Sequence, residues 1–110
     1  MNINGVLTTY EELTEHNFEL YDAFDKEGEF LLKLEFRGWN KFKSNSLVCY
    51  FTDREGKPYR LFAWKHGEIY NPKRSEINMA TVQDGTWWKC TVKQNSKGNM
   101  EWLTAEQVQK

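Results

Sequence analysis

Leu47-Val48-Cys49-Tyr50-Phe51-Thr52-Asp53-Arg54-Glu55-Gly56-Lys57-Pro58-Tyr59-Arg60-Leu61-Phe62-Ala63-Trp64 is the most informative stretch of this chain. Two apolar, aromatic-rich runs flank the four-residue turn Asp53-Arg54-Glu55-Gly56, which is the pattern of a β-hairpin. Pro58 enters the second run near its start, where a missing N–H is tolerated. Strands are therefore expected over 47–52 and 58–64. In the second strand one face shows Arg60, Phe62 and Trp64 and the other shows Tyr59, Leu61 and Ala63. A register slip of one residue would exchange them.

Upstream, Phe30, Leu32, Leu34 and Phe36 alternate with Leu31, Lys33, Glu35 and Arg37, giving a strand over 29–37. Gly38 to Ser46 reads as a loop. Downstream, Asp84-Gly85 leads into Trp88, Cys90 and Val92 alternating with Trp87, Lys89, Thr91 and Lys93. After the turn Asn95-Ser96-Lys97-Gly98-Asn99 the chain closes a second hairpin, with strands expected over 86–93 and 100–104. Residues 65–83 form a connector with a short helical turn around Glu76–Val82, and the tail from Ala105 to Lys110 is expected to extend a last turn or to fray. Near the N-terminus, Thr8 with Glu11 and Thr9 with Glu12 make two overlapping capping boxes. Tyr10, Leu13, Asn17, Leu20, Tyr21 and Phe24 follow at helical spacing, so a helix is expected over 9–23, with Glu11, Glu12, Glu15, Glu19 and Asp22 on its solvated side.

These elements make a single domain over residues 1–110, with an acidic helix at 9–23 and a β domain at 29–104. The fold class is α+β, mostly β: a five-stranded antiparallel barrel or curved sheet with an N-terminal helix. At 110 residues the chain can bury one core without staples. No apolar run approaches the roughly 20 residues that span a bilayer, and Met1-Asn2-Ile3-Asn4-Gly5 lacks the regions of a signal peptide, so a soluble, cytoplasmic protein without a membrane partner is expected. Cys49 and Cys90 lie in apolar runs and read as buried thiols. With no C-x-x-C and only the isolated His16 and His66, no metal and no cofactor is expected. The seven scattered glycines form no phosphate-binding fingerprint, and no nucleophile stands beside an orienting base, so the chain is not expected to be an enzyme.

The near-zero net charge conceals a division. Residues 1–35 hold nine acids and two bases, a balance of −7, whereas residues 36–110 hold thirteen bases and seven acids, a balance of +6. Aromatic residues equal Leu, Ile and Val combined, and many adjoin bases: Arg37-Gly38-Trp39-Asn40-Lys41-Phe42-Lys43, Tyr59 to Lys65, and Trp87-Trp88-Lys89. Rings on which bases stack, interleaved with cations that neutralise phosphates, are what a single-stranded nucleic-acid site requires. The same rings could instead fill the core of an aliphatic-poor domain, the bases lying on its solvated side.

The layout of Phe51 to Tyr59 followed by Asp84 to Lys93, in a strand order 1-2-3, connector, 4-5, resembles OB-fold single-strand-binding domains of phage and mobile-element type. That resemblance implies a small Greek-key barrel that binds oligonucleotides across its second and third strands and the adjoining loops. On these residues the binding set would be Trp39, Lys41, Lys43, Arg60, Phe62, Trp64, Trp87, Lys89 and Lys93. The expected function is non-enzymatic binding of single-stranded DNA or RNA. The alternative is a small phage or mobile-element effector that inhibits or recruits a host protein through the acidic helix and exposed aromatics, since interface hot spots favour Trp, Tyr and Arg. The oligomeric state is left open.

Overall fold

Seven strands form one mixed, curved sheet in the computed structural model, which describes residues 5–39 and 46–108. In chain order they are β1 (Asp22–Ala23), β2 (Gly28–Trp39), β3 (Ser46–Thr52), β4 (Pro58–His66), β5 (Ile69–Asn71), β6 (Trp87–Gln94) and β7 (Met100–Val108). The long strands β2, β3, β4, β6 and β7 are the expected five. The short β1 and β5 are additional, and β1 runs parallel to β4, so the sheet is not wholly antiparallel. Two and three residues give no readable alternation, which is why neither showed in the pattern. The connector makes turns rather than a helical turn at 76–82, and the tail continues β7 to Val108.

The long strands lie in the order β4-β3-β2-β6-β7. β6 returns through the long connector to lie beside β2, the spatial order of a Greek key. One half of β2 pairs with β6 (Gly28 opposite Val92, Lys33 opposite Trp87), and the other half pairs with β3 (Lys33 opposite Thr52, Trp39 opposite Leu47). The strands at the two ends of this path, β4 and β7, touch without hydrogen-bonding to each other, leaving a seam along the curved sheet.

The concave face carries the main core, which includes Leu32, Leu34, Cys49, Phe51, Tyr59, Leu61, Trp88, Cys90 and Trp102. Burying a large apolar side chain of this kind contributes about 1.5–3 kcal/mol relative to leaving it in water. Arg37, 1% exposed, is anchored at one end of this core. Its Nε donates to Asp84 Oδ1 at 2.9 Å and its guanidinium to the Met79 carbonyl at 3.0 Å, tying the connector to β2.

A β-bulge explains why Arg37 and Trp39 point inward. Up to Leu34 the even-numbered residues of β2 face the core. The register against β3 then shifts between Leu34 and Phe36, and Glu35 is the additional residue, its carboxylate accepting the Thr52 hydroxyl at 2.6 Å. An extra residue reverses the parity of all that follows. Phe36 therefore leaves the face it was expected to share with Phe30, Leu32 and Leu34, and Trp39 packs edge-on to Tyr70 with centroids 5.0 Å apart.

The two main hairpins use the same turn. Asp53 Oδ1 accepts the backbone N–H of Glu55 and of Lys57, each at 2.9 Å, and Asn95 Oδ1 accepts those of Lys97 and Asn99 at the same distance. Gly56 and Gly98 occupy the equivalent fourth position with φ of 84° and 85°, a conformation that glycine adopts without steric cost.

The N-terminal helix is much shorter than expected. Helix α1 spans Tyr10–Glu15, capped by the Thr9–Glu12 box. Asn17 then adopts a left-handed conformation (φ 56°, ψ 43°), and a 3-10 turn over Phe18–Leu20 leads into β1. Asparagine tolerates this geometry better than most residues, so it terminates helices readily. The break lets Phe18 and Tyr21 join Leu13 and Leu7 over Phe36, Val48 and Tyr50, forming a second, smaller cluster on the convex face.

Candidate functional site

Strand β4 separates its residues as alternation requires. Tyr59, Leu61 and Ala63 are buried in the main core, and Arg60, Phe62 and Trp64 project to the other face. Pairing with β3 places Tyr50 opposite Arg60, Val48 opposite Phe62 and Ser46 opposite Trp64. The N-terminal segment covers much of this face. Tyr21 packs edge-on to Tyr50 at 5.4 Å and to Phe36 at 5.2 Å, and its carbonyl accepts a hydrogen bond from Arg60. Burial on this face pushes the Tyr50 hydroxyl up to about 12 and raises that of Tyr21 in the same direction.

What stays open is the seam. Between β1, which pairs at Tyr59 and Arg60, and β5, which pairs from Trp64 to His66, no strand among the described residues pairs with this edge of β4 at Leu61–Ala63. There a groove of about 750 Å³ runs between β4 and the start of β7. Phe62 and Trp64 line one wall with Arg60 and His66, and Met100, Glu101 and Trp102 line the other. Asn95, Gly98 and Asn99 of the β6–β7 turn close one end, and Phe24 and Asp25 also contribute. Trp64 is 41% exposed, although tryptophan is highly buried on average. His66 Nδ1 lies 2.8 Å from Asn71 Oδ1, which orients the ring from β5.

A strap of the connector, Pro72 to Ser75, bridges the seam. Lys73 donates its backbone N–H to the Trp102 carbonyl at 2.9 Å and Arg74 donates to Leu103 at 2.7 Å, while the Ser75 hydroxyl accepts the Ala105 N–H at 3.0 Å. The strap thus sets the Lys73 side chain on the groove wall, where its ammonium lies 3.1 Å from the Glu101 carboxylate. Within the lining, Arg60 and Lys73 balance Asp25 and Glu101. Lys93 and Lys97 are exposed and adjoin lining residues in register or in sequence, and Lys65 is exposed between the lining residues Trp64 and His66, on the alternate side of β4.

The nine residues expected at the site are separated by the fold. Arg60, Phe62 and Trp64 line the groove together. Lys93 stands opposite Glu101 across β6 and β7, at the groove's edge. Lys89 is about 13 Å further along β6 by strand rise, where it pairs with Glu29 at 3.4 Å, and Trp87 is further still, opposite Lys33 and Val108. Trp39 is packed against the main core, and Lys41 and Lys43 lie outside the described residues. Phe24, His66, Lys73, Glu101 and Trp102 went unrecognised. Only the Asn95–Asn99 turn carried a local signal, because where the strap crosses the sheet is not written in any periodic pattern.

Among the described residues no three His, Cys, Asp or Glu side chains come together in a way that could hold a metal ion. The thiols of Cys49 and Cys90 are buried, and burial pushes both well above the ordinary range, which leaves them protonated and poorly nucleophilic. No described helix is long and apolar enough to cross a membrane. What the groove offers chemically is stacking surface, a few cations and hydrogen-bonding amides. No family model, no curated protein and no solved structure matches this chain.

Proposed function

We propose that this protein binds single-stranded nucleic acid, without catalysis, in the groove between β4 and β7. The observation that carries the reading is the convergence of Phe62, the exposed Trp64 and Arg60 with Lys73 in one open groove. Rings of this kind stack bases of any sequence, and cations along the rim meet the backbone. The Greek-key order of the long strands also fits an OB-like barrel left open at one seam, a form whose third strand and last hairpin turn adjoin the ligand. The groove follows the third long strand and the Asn95–Asn99 turn.

The test is fluorescence anisotropy of a labelled single strand of about 20 nucleotides at two salt concentrations, with tryptophan quenching recorded in parallel. Saturable binding that weakens steeply with salt and quenches tryptophan is expected. Affinity that stays flat with salt would refute the reading.

One observation favours a second reading, in which the protein engages a protein partner through its N-terminal segment. Tyr10 and Leu20, 52% and 66% exposed, lie on the same acidic stretch, with the Tyr10 hydroxyl bonded to Glu19 at 3.0 Å. Because Leu7 and Leu13 of this segment cover the convex face, deleting it would strip the smaller cluster. Tyr10→Ala and Leu20→Ser are the cleaner probes. Loss of partner capture in these variants, with nucleic-acid binding intact, would identify this surface.

A further inference from the structure

Lys73 and Glu101 face each other on the groove wall in a geometry fixed by backbone. The strap hydrogen-bonds residue 73 to Trp102, the neighbour of Glu101, so the two side chains are held side by side. The Lys73 ammonium lies 3.1 Å from one carboxylate oxygen and 3.4 Å from the other. On the far side of Glu101 the register sets Lys93 directly across from it, within cross-strand reach of the carboxylate, while the ion pair itself is made with Lys73.

We propose that Glu101 is a built-in stand-in for a phosphate. It occupies Lys73 until a phosphodiester of the bound strand displaces it, and Lys93 then receives the carboxylate. The inference rests on the reading of the groove as a single-strand site, and it names the anionic subsite within it. The exchange is feasible because an exposed ion pair is weak, whereas replacing carboxylate by phosphate keeps a charge-assisted hydrogen bond on Lys73. It also accounts for a near-neutral groove in the basic part of the chain: with Glu101 turned away, Arg60 and Lys73 outweigh Asp25.

The experiment compares wild type, Glu101→Gln, Lys73→Gln and the double variant, with Glu106→Gln as the reference for losing one negative charge elsewhere on β7. Each is titrated against the same labelled strand at low salt, after its melting curve is matched to wild type. Glu101→Gln is expected to tighten binding about three- to ten-fold, more than Glu106→Gln. Lys73→Gln weakens binding, and in its background the gain from Glu101→Gln disappears. An equal gain with and without Lys73, or one no larger than that of Glu106→Gln, overturns the subsite, because general charge removal then suffices. Binding that depends on Trp64 but ignores Glu101→Gln overturns the subsite alone. Absence of saturable binding by wild type overturns the groove reading and the subsite with it.

Discussion

The concave core and the smaller cluster under the N-terminal segment are built from the same strands in opposite parity. Cys49, Phe51 and Leu61 point one way, and Val48, Tyr50 and Phe62 point the other. The concave core joins residues from five long strands and the connector. The convex cluster depends on one short segment, residues 7–21, attached to the sheet by a parallel bridge at Leu7 and by the two residues of β1. The cover is pinned at its two ends, by Leu7 exchanging backbone hydrogen bonds with Arg37 and Trp39 of β2 and by the Tyr21 carbonyl accepting from Arg60, and the surface left open is the seam at the sheet's edge. A face that looks free by alternation can be claimed by a segment whose own pattern does not announce where it docks.

The largest effects should separate these two regions. Trp88→Ala removes a 1% exposed side chain from the concave core and is expected to cost about 3–5 kcal/mol, read as a lower denaturant midpoint at unchanged slope. Leu13→Ala in the convex cluster is expected to cost about 2 kcal/mol, because a surface-docked segment relaxes around the gap more readily. Its hydrogen-exchange protection should fall over residues 7–24 and persist in β2, β3 and β6. Equal costs, or a global loss of protection in Leu13→Ala, would mean that the two clusters form one cooperative unit.

Alkaline titration sharpens the same contrast with a smaller effect. Burial raises both thiols of the concave core, so the native state keeps protons that the unfolded chain releases near pH 8.5. Stability is therefore full below that pH and falls as pH rises through it, by up to about 1.4 kcal/mol per pH unit for each thiol. Tyr50 in the convex cluster, pushed up to about 12 by burial, adds a loss of the same sign only above about pH 10. Denaturant midpoints measured from pH 7 to 10 should decline, and a Cys49→Ala, Cys90→Ala variant should flatten the decline. A flat profile in wild type would contradict the burial of the thiols.

The strands were legible because the driving pattern is local. Alternation between polar and apolar residues and the Asx–glycine turns at Asp53–Gly56 and Asn95–Gly98 fixed all five long strands within a few residues. Three features were not legible. A one-residue bulge at Glu35 sent Trp39 inward and Phe36 outward, and nothing in the run Leu34-Glu35-Phe36-Arg37 marks it. Asn17 broke a segment whose periodicity suited a longer helix, because docking Phe18 and Tyr21 on the sheet outweighs continued helical hydrogen bonding. The strap over the seam is held by backbone groups together with the Ser75 hydroxyl, and neither marks in the local pattern where it docks. Half the groove was therefore invisible, while Arg60, Phe62 and Trp64 emerged because strand parity alone groups them.

The most direct measurement compares Trp64→Ala with Trp87→Ala in the single-strand binding assay, with both variants matched to wild type in thermal melting. Both tryptophans belong to the outward, base-flanked parity of their strands, but only Trp64 lines the groove. Trp64→Ala is expected to lose about 1–3 kcal/mol of binding, the worth of one stacked base, while Trp87→Ala binds within two-fold of wild type. Equal losses in both variants, or a loss in Trp87→Ala alone, would contradict a binding site at the seam between β4 and β7.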